Sequence, residues 1–435
     1  MVSRLITSIN FVEDPQSLAI SLNVTNTDLL HLFNSVNSPL FCLLVKFISS
    51  ITHNYAVSFS ILGGVATFIL IFYVLKLLKV PVTSLEGGLT IGLLFFNPLL
   101  WIAGNRYTPD LACTSLIIAA FYYLMSDHAG KYALSIGFLL TGIVGGFSLL
   151  YIPFLLIPVV HAATTKKGLV LAIFTLLIGL VCWMLPSILQ QGLAATWNKE
   201  VAILFDVPNT GIYTLSRLVD LIKNIWAGGL GGYWYGRNLF TLLLSIALLP
   251  CLFFGMMIML SFDYPRSKIF ATMGTGLLFF VWLYVCPSTT NISVLVLLPF
   301  LIVLIAYGII YFLVNFNMLA VKAAIVLFLL FNIWIGIYLA LEHQNPNAAE
   351  QLRAHISQFD QQPVNILATA DLCEFLNVQS RKLKCTVTTD GQPGLVKFYS
   401  RPSPTPSKAV PKSIYYFSHN PYINSWSFAI ELREY

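Results

Sequence analysis

The chain has 435 residues, of which 57% are hydrophobic and only 10% are charged, and its mean hydropathy is +0.80. Soluble domains carry about 25% charged residues, so this composition excludes a soluble globular protein and predicts an integral membrane protein. The net charge is +6. The basic residues are scattered at the ends of apolar runs rather than gathered in a stripe, which argues against a nucleic-acid partner.

The opening of the chain, residues 11–51, is more polar than the long apolar region after it. It carries the acidic pair Glu13 and Asp14, a further carboxylate at Asp28, and two short amphipathic runs. Residues 1–10 lack the apolar core of a signal peptide and are too short to span a bilayer, which takes about 20 apolar residues. We therefore predict that residues 1–54 form a polar segment with amphipathic helices on a membrane surface.

Long apolar runs fill residues 55–341. The run 132–162 is long for one crossing and is interrupted by Gly145, Gly146 and Pro153, so we predict a hairpin of two short helices there. Counted in this way, the chain has about ten membrane-spanning helices. The predicted runs are 55–78, 84–104, 111–127, 132–162, 168–187, 238–260, 269–286, 292–317 and 320–341.

The basic residues of the short loops predict the orientation of these helices. Lysine and arginine concentrate in cytoplasmic loops, and one alternation of the helices places all of the loop cations on that side. The polar opening, the 105–110 loop, the long loop 188–237 and the C-terminal segment then share the outer face. The loop cations are Lys76, Lys79, Lys131, Lys166, Lys167, Arg266, Lys268 and Lys322.

Two further segments are predicted to lie on the outer face. Within the long loop, apolar residues from Leu215 to Trp226 recur at helical spacing, as in a helix on a membrane surface. Residues 342–435 are more polar and are predicted to form a small α/β domain. Cys373 and Cys385 in this domain either form a disulfide or remain free. Its predicted elements are a helix at Asn347–Phe359 and strands at Val364–Ala368, Leu395–Tyr399, Ser413–Phe417 and Trp426–Leu432.

Polar residues of catalytic type occur on the predicted outer face. Transfer of a group from a phosphate-linked donor needs a base for the acceptor's proton and cations for the leaving phosphate. Both residue types are present. The carboxylates are Glu13, Asp14 and Asp110, and the cations are Arg106 in the loop NRYTPD (105–110) and Lys199, Arg217, Lys223 and Arg237 in the long loop.

Structural roles are the alternative for several of these residues. Asp110 would also suit the start of a helix, and Arg106 would suit an interfacial anchor. Arg217 and Lys223 would also suit the wet side of an amphipathic helix. The predicted spans have almost no ionisable residue near their centres, which argues against an ion-coupled carrier. A divalent metal held by carboxylates is compatible with the chemistry, but the sequence shows no dedicated metal site and identifies no cofactor.

The order of these motifs resembles a known superfamily. Acidic residues and amphipathic helices precede the phrase NSPLFCLLVKFISS (37–50), and an Arg–Asp loop opens NRYTPDLACTSLIIAAFYYL (105–124). This order is similar to that of the GT-C polyprenyl-phosphate-dependent glycosyltransferases, in particular the protein O-mannosyltransferase and lipid A aminoarabinose transferase group. The family's His-Pro-Pro phrase has Asn37 in place of histidine, and the hairpin apex GGFSLLY (145–151) carries no cation.

The resemblance implies an all-α polytopic membrane bundle and inverting transfer of a sugar from a polyprenyl-phosphate carrier. The acceptor would be a lipid, a glycan or a protein. It implies Asp14 or Glu13 as the catalytic base, with Asp110 also at the active site. Arg106, Arg217 and Arg237 are candidate contacts of the donor phosphate. The family also has a membrane helix just before the acidic pair, and only a dozen or so residues stand there in this chain.

The sequence therefore predicts a membrane glycosyltransferase whose active face is periplasmic or extracellular, in a bacterial inner membrane. The alternative is a non-catalytic membrane protein, either a component that binds or moves a lipid carrier or a structural partner in the cell envelope. The position of Asp14 relative to Asp110 discriminates the two, because catalysis requires both carboxylates to face one outward cavity.

Overall fold

The architecture was established from a computed structural model of the chain. It describes the following residues: 38–53, 55–104, 108–126, 130, 132–165, 168–205, 215–223, 225–226, 239–261, 266–286, 293–316, 319–342, 348–358, 364–368, 372–373, 376, 383–387, 395–399, 413–418 and 429–434.

Most of the described residues are helical. The helices are α1 Pro39–Thr52, α2 Tyr55–Leu78, α3 Leu85–Phe95, α4 Pro98–Ala103, α5 Asp110–Met125, α6 Ala133–Phe147, α7 Pro153–Thr165, α8 Leu169–Gln191, α9 Leu193–Phe205, α10 Leu215–Lys223, α11 Leu239–Ser261, α12 Arg266–Val285, α13 Leu298–Asn315, α14 Leu319–Glu342 and α15 Ala348–Ser357. Two short 3-10 helices, Leu149–Tyr151 and Ser293–Leu297, precede α7 and α13.

The helices follow the predicted apolar runs. The run 132–162 is divided into α6 and α7, and the break lies between the glycine pair and Pro153, as predicted. A second break separates α3 from α4, where Asn97 caps the new helix and Pro98 begins it. Within the described residues, 4 helical stretches are long and apolar enough to cross a membrane, and shorter apolar helices accompany them. The chain is a polytopic membrane protein.

Helix α5 lies at the centre of the bundle. It packs against α2, α6 and α7, and its side chains are buried around almost the whole circumference of the helix. An apolar helix enclosed in this way has little contact with lipid. Its first residue, Asp110, is half-buried at one end of the bundle. Asp110 therefore lies at the end of a helix that is packed on nearly all sides.

Two helix pairs approach closely because glycines face the neighbouring backbone. On α11 and α13, a Cβ added at Gly308 would lie 2.6 Å from the backbone carbon of Cys251. On α6 and α8, a Cβ added at Gly142 would lie 2.9 Å from the Cα of Gly179. Small residues allow this approach, which is common between membrane helices. The bundle is therefore joined at these places by direct backbone contact.

The C-terminal segment contains a five-stranded sheet. The strands are β1 Val364–Ala368, β2 Leu383–Val387, β3 Leu395–Tyr399, β4 Ser413–Ser418 and β5 Ala429–Glu434, in the order β2-β1-β3-β5-β4. The β1/β2 and β3/β5 pairs are parallel, and the β1/β3 and β4/β5 pairs are antiparallel.

The small sheet agrees with the predicted fold class. Strand β2 is the element that we did not predict. Its Cys385 forms a disulfide with Cys373, so these two cysteines are paired rather than free. The domain boundaries at residues 54 and 341 stay predictions.

Candidate functional site

Asp110 is the predicted catalytic residue that the structure places most clearly. It begins α5, where an acidic side chain is favoured by the positive end of the helix dipole. The phenol of Tyr151 donates a hydrogen bond to its Oδ1. Asp110 is half-buried. The Asp110 carboxylate thus accepts a hydrogen bond from the Tyr151 hydroxyl, and the helix that carries it is buried in the bundle.

The break between α6 and α7 places Tyr151 next to Asp110. The 3-10 turn Leu149–Tyr151 follows the extended backbone at Ser148, and Pro153 then begins α7. The Tyr151 ring is fully buried and stacks on Phe279, with ring centroids 6.1 Å apart. Because the ring is fixed by this packing, its hydroxyl is also fixed and orients the Asp110 carboxylate.

The environment of Tyr151 keeps its phenol protonated. Burial, reinforced by the negative charge of Asp110, raises the pKa of Tyr151 well above its ordinary value. A hydrogen bond from the buried Ser293 hydroxyl opposes this rise. The phenol therefore acts as a donor to Asp110 and as an acceptor from Ser293, and the three residues form one polar cluster.

Two threonine hydroxyls lie close to Asp110 in sequence. The Oγ1 atoms of Thr108 and Thr114 are buried and have no hydrogen-bond partner among the described residues. Thr114 is one helical turn beyond Asp110, so it lies on the same face of α5. Buried hydroxyls usually have partners. Within the described part of the chain, these two hydroxyls therefore leave hydrogen-bonding capacity unused near Asp110.

Arg217 and Trp282 tie the end of α12 to this cluster. The indole Nε1 of Trp282 donates to the carbonyl oxygen of Leu150, 2.8 Å away. The Arg217 guanidinium, on α10, donates to the carbonyl oxygen of Leu283 at 3.3 Å and to that of Cys286. A cation at the carboxyl end of a helix is electrostatically favourable. Arg217 thus brings positive charge to the end of the bundle that holds Asp110.

Helix α9 adds a buried ion pair that we did not predict from the sequence. It contacts the 3-10 turn that carries Tyr151, and the Phe205 ring packs edge-on against Trp282 with centroids 6.0 Å apart. Glu200 is only 5% exposed, and its carboxylate lies 3.9 Å from the Lys199 ammonium. The signal in the sequence was an acidic residue within an apolar, helix-compatible run, 193–205.

Burial shifts both members of this pair toward neutrality. It raises the pKa of Glu200 and lowers that of Lys199, and each partner's charge partly opposes the other's shift. A raised carboxyl pKa means that folded protein loses stability as pH rises from the ordinary glutamate value, about 4.3, through the raised value. Glu200→Gln replaces the carboxyl group with an amide that does not ionise, so the variant does not lose stability in this way.

We therefore expect the melting temperature of the wild type to fall relative to that of the Glu200→Gln variant as the pH rises above about 4.3, by about 1 °C for each kcal/mol in a chain of this length. Melting of both proteins in the same detergent at several pH values measures this. A difference in melting temperature that does not change with pH would contradict a buried, titrating Glu200.

The other predicted site residues lie outside the described residues. These are Glu13, Asp14, Arg106 and Arg237, together with the further carboxylate Asp28. Of the predicted acidic and phosphate-binding groups, the structure therefore shows Asp110 and Arg217. Within the part of the chain that it describes, no group of three or more histidine, cysteine, aspartate or glutamate side chains is placed to hold a metal ion.

Comparison with known proteins identifies the fold. No family model and no curated protein matches the chain in sequence. The structure is similar to that of ArnT from Cupriavidus metallidurans bound to undecaprenyl phosphate, with a TM-score of 0.57 and 13% sequence identity, over 88% of this chain and 84% of that one. The apo state of the same ArnT matches with a TM-score of 0.49 and 12% identity, over 82% and 70% of the two chains.

The similarity to the lipid-bound ArnT extends over most of both chains. At this low identity the similarity establishes the fold alone. It agrees with the resemblance found in the sequence motifs. The chain therefore shares the fold of this ArnT.

Proposed function

We propose that the chain is a membrane glycosyltransferase that transfers a sugar from a polyprenyl-phosphate donor to a lipid, glycan or protein acceptor. The observation that carries this proposal is the half-buried Asp110 carboxylate, oriented by a clamped tyrosine. It lies in a fold shared with an ArnT whose structure contains undecaprenyl phosphate. A pre-oriented carboxylate is what a transfer site requires.

The proposed reaction is a single inverting displacement. A carboxylate takes the proton of the acceptor hydroxyl, whose oxygen attacks the anomeric carbon of the sugar. The bond from that carbon to the phosphate oxygen breaks, and the polyprenyl phosphate leaves with the electron pair. Asp14 or Glu13 is the proposed base, and Asp110 supports the reacting groups. Cations stabilise the charge on the leaving phosphate.

Three arginines are the proposed phosphate contacts. Arg106 lies four residues before Asp110 in the loop NRYTPD, and Arg237 belongs to the long loop. Arg217 joins them because its hydrogen bonds at the end of α12 hold its charge on the side of the bundle where Tyr151 meets Asp110. A planar guanidinium is well suited to phosphate oxygens.

The proposed active face is the periplasmic or extracellular side of a bacterial inner membrane. The positive-inside pattern of the loops supports this orientation. The Cys373–Cys385 disulfide supports it independently, because disulfides persist in oxidising compartments and are rare in the cytosol. The C-terminal sheet would then lie on the same side as the site.

The proposal is tested by following transfer in membranes. Membranes that contain the chain, and matched membranes without it, are supplied with polyprenyl-phosphate carrying a radiolabelled sugar. We expect label to leave the lipid carrier and enter an acceptor fraction only when the chain is present. Retention of all label on the carrier, across lipid, glycan and protein fractions, would favour a non-catalytic carrier-binding protein instead.

A further inference from the structure

An apolar cavity lies at the end of the bundle opposite Asp110. Its volume is about 420 Å³, and α2, α5, α11, α12 and α13 line it. Met125 and Ser126, at the carboxyl end of α5, form part of its wall, whereas Asp110 is at the amino end of the same helix. Ligand cavities in proteins usually measure about 300–1,000 Å³. The cavity is therefore large enough for a ligand and separate from the site described above.

The wall of the cavity suits a flexible apolar chain. Four methionines line it, namely Met125, Met256, Met259 and Met273, beside the aromatic rings of Phe121 and Phe300. Methionine is unbranched and polarizable, so a surface rich in it adapts to ligands of variable shape. A lipid acyl chain is flexible and apolar and therefore fits such a wall, whereas a rigid polar solute does not.

Two lysines give the cavity a positive end. Lys79 follows the last turn of α2 and is exposed, and Lys268 is in the first turn of α12 and is half-buried. Lysine ammonium groups near the membrane surface attract anionic lipid headgroups. The cavity therefore combines an apolar body with a rim that favours negative charge.

We infer that this cavity binds an anionic phospholipid of the surrounding bilayer. One acyl chain occupies the methionine-lined body, and the phosphate group lies at Lys79 and Lys268. The predicted orientation of the loops puts both lysines in the cytoplasmic leaflet, where anionic lipids attract basic residues. This lipid site is distinct from the proposed donor site, since the two lie at opposite ends of α5.

The test is lipid binding to the purified full chain in detergent, counted by native mass spectrometry. Dioleoyl phosphatidylglycerol and dioleoyl phosphatidylcholine have the same acyl chains and differ in headgroup charge. We expect the wild type to prefer phosphatidylglycerol by about 25-fold, because each lysine near an anionic headgroup contributes about a factor of five. The double variant Lys79→Gln/Lys268→Gln should lose this preference.

Two further variants separate charge from the cavity itself. Lys46→Gln, on α1 and away from the cavity lining, should keep the preference of the wild type. Thr272→Trp, which places a large ring in the cavity and leaves both lysines intact, should weaken phosphatidylglycerol binding at least about fivefold. Melting of the lipid-free proteins checks that each variant is folded.

Some results would overturn the inference. Equal binding of the two lipids by the wild type would show that the rim does not select for charge. Preserved selectivity in the double variant would place the anionic lipid elsewhere. Undecaprenyl phosphate is added as a third lipid in the same binding experiment. If it displaces phosphatidylglycerol from the wild type but not from the double variant, the occupant is the carrier lipid and not a bilayer phospholipid.

Discussion

Asp110→Asn is expected to reduce sugar transfer by about 100-fold or more, which is the usual contribution of a group that moves or stabilises a proton in the transition state. Asparagine has nearly the same shape as aspartate, and its carbonyl oxygen can still accept the hydrogen bond from Tyr151. The substitution therefore removes the negative charge and leaves the geometry. Initial rates of label transfer in membranes, normalised to the amount of folded protein, measure the effect.

A matched control is available at the other end of the bundle. Glu86 is half-buried in the first turn of α3, as Asp110 is in the first turn of α5. Glu86→Gln should leave transfer within about twofold of the wild type, because a single surface charge has a small effect on its own. Transfer by Asp110→Asn at the rate of this control would remove Asp110 from the site.

Tyr151→Phe separates orientation from charge at the same site. It keeps the buried ring against Phe279 and removes only the hydroxyl that donates to Asp110. We expect a loss of about tenfold, smaller than that of Asp110→Asn, because the carboxylate remains but is less well oriented.

In the same assay, Asp14→Asn tests the proposed base. If Asp14→Asn transfers sugar at the wild-type rate, Asp14 is not the base, and Glu13 or Asp110 takes that role.

Gly308→Ala is expected to prevent normal packing of α11 against α13. The added Cβ would lie 2.6 Å from both the backbone carbon and the Cα of Cys251, and it would also contact that residue's carbonyl oxygen. Backbone atoms cannot rotate away as a side chain can, so one helix must move. Overpacking usually costs about 1–3 kcal/mol. The cost here should reach or exceed the upper end of that range.

Thermal melting and size-exclusion profiles in detergent measure this effect. Gly276→Ala on α12 is the control, because a Cβ added there meets no atom within 4 Å. Alanine favours a helix over glycine by about 1 kcal/mol, so this control should melt at or slightly above the temperature of the wild type. Equal melting of the two variants would contradict the close approach of α11 and α13.

Local sequence patterns were enough to predict the membrane fold of this chain. Each apolar run formed one or two helices, because a span must satisfy its own backbone hydrogen bonds inside the bilayer. Glycine and proline divided the apolar run 132–162 where expected: α6 ends just after the glycine pair, and Pro153 begins α7. Four strands of the C-terminal sheet were predicted for a similar reason, since their β-branched and aromatic runs are local signals. Asp110 could be proposed as a site residue because its loop is short, polar and adjacent to a span, and its role there stays a prediction.

The surroundings of Asp110 depend on contacts between distant parts of the chain. Tyr151 is 41 positions away in sequence, and nothing local to the apex GGFSLLY distinguishes a buried donor from an interfacial aromatic residue. Arg217 and Cys286 are 69 positions apart, and the burial of Glu200 depends on how α9 covers the hairpin turn. Such contacts arise from helix packing, in which the pairing of side chains across the bundle leaves no periodic signal in either partner. The membrane helices and one carboxylate could therefore be predicted from the sequence. Packing determined which donors orient that carboxylate and where the lipid-sized cavity lies.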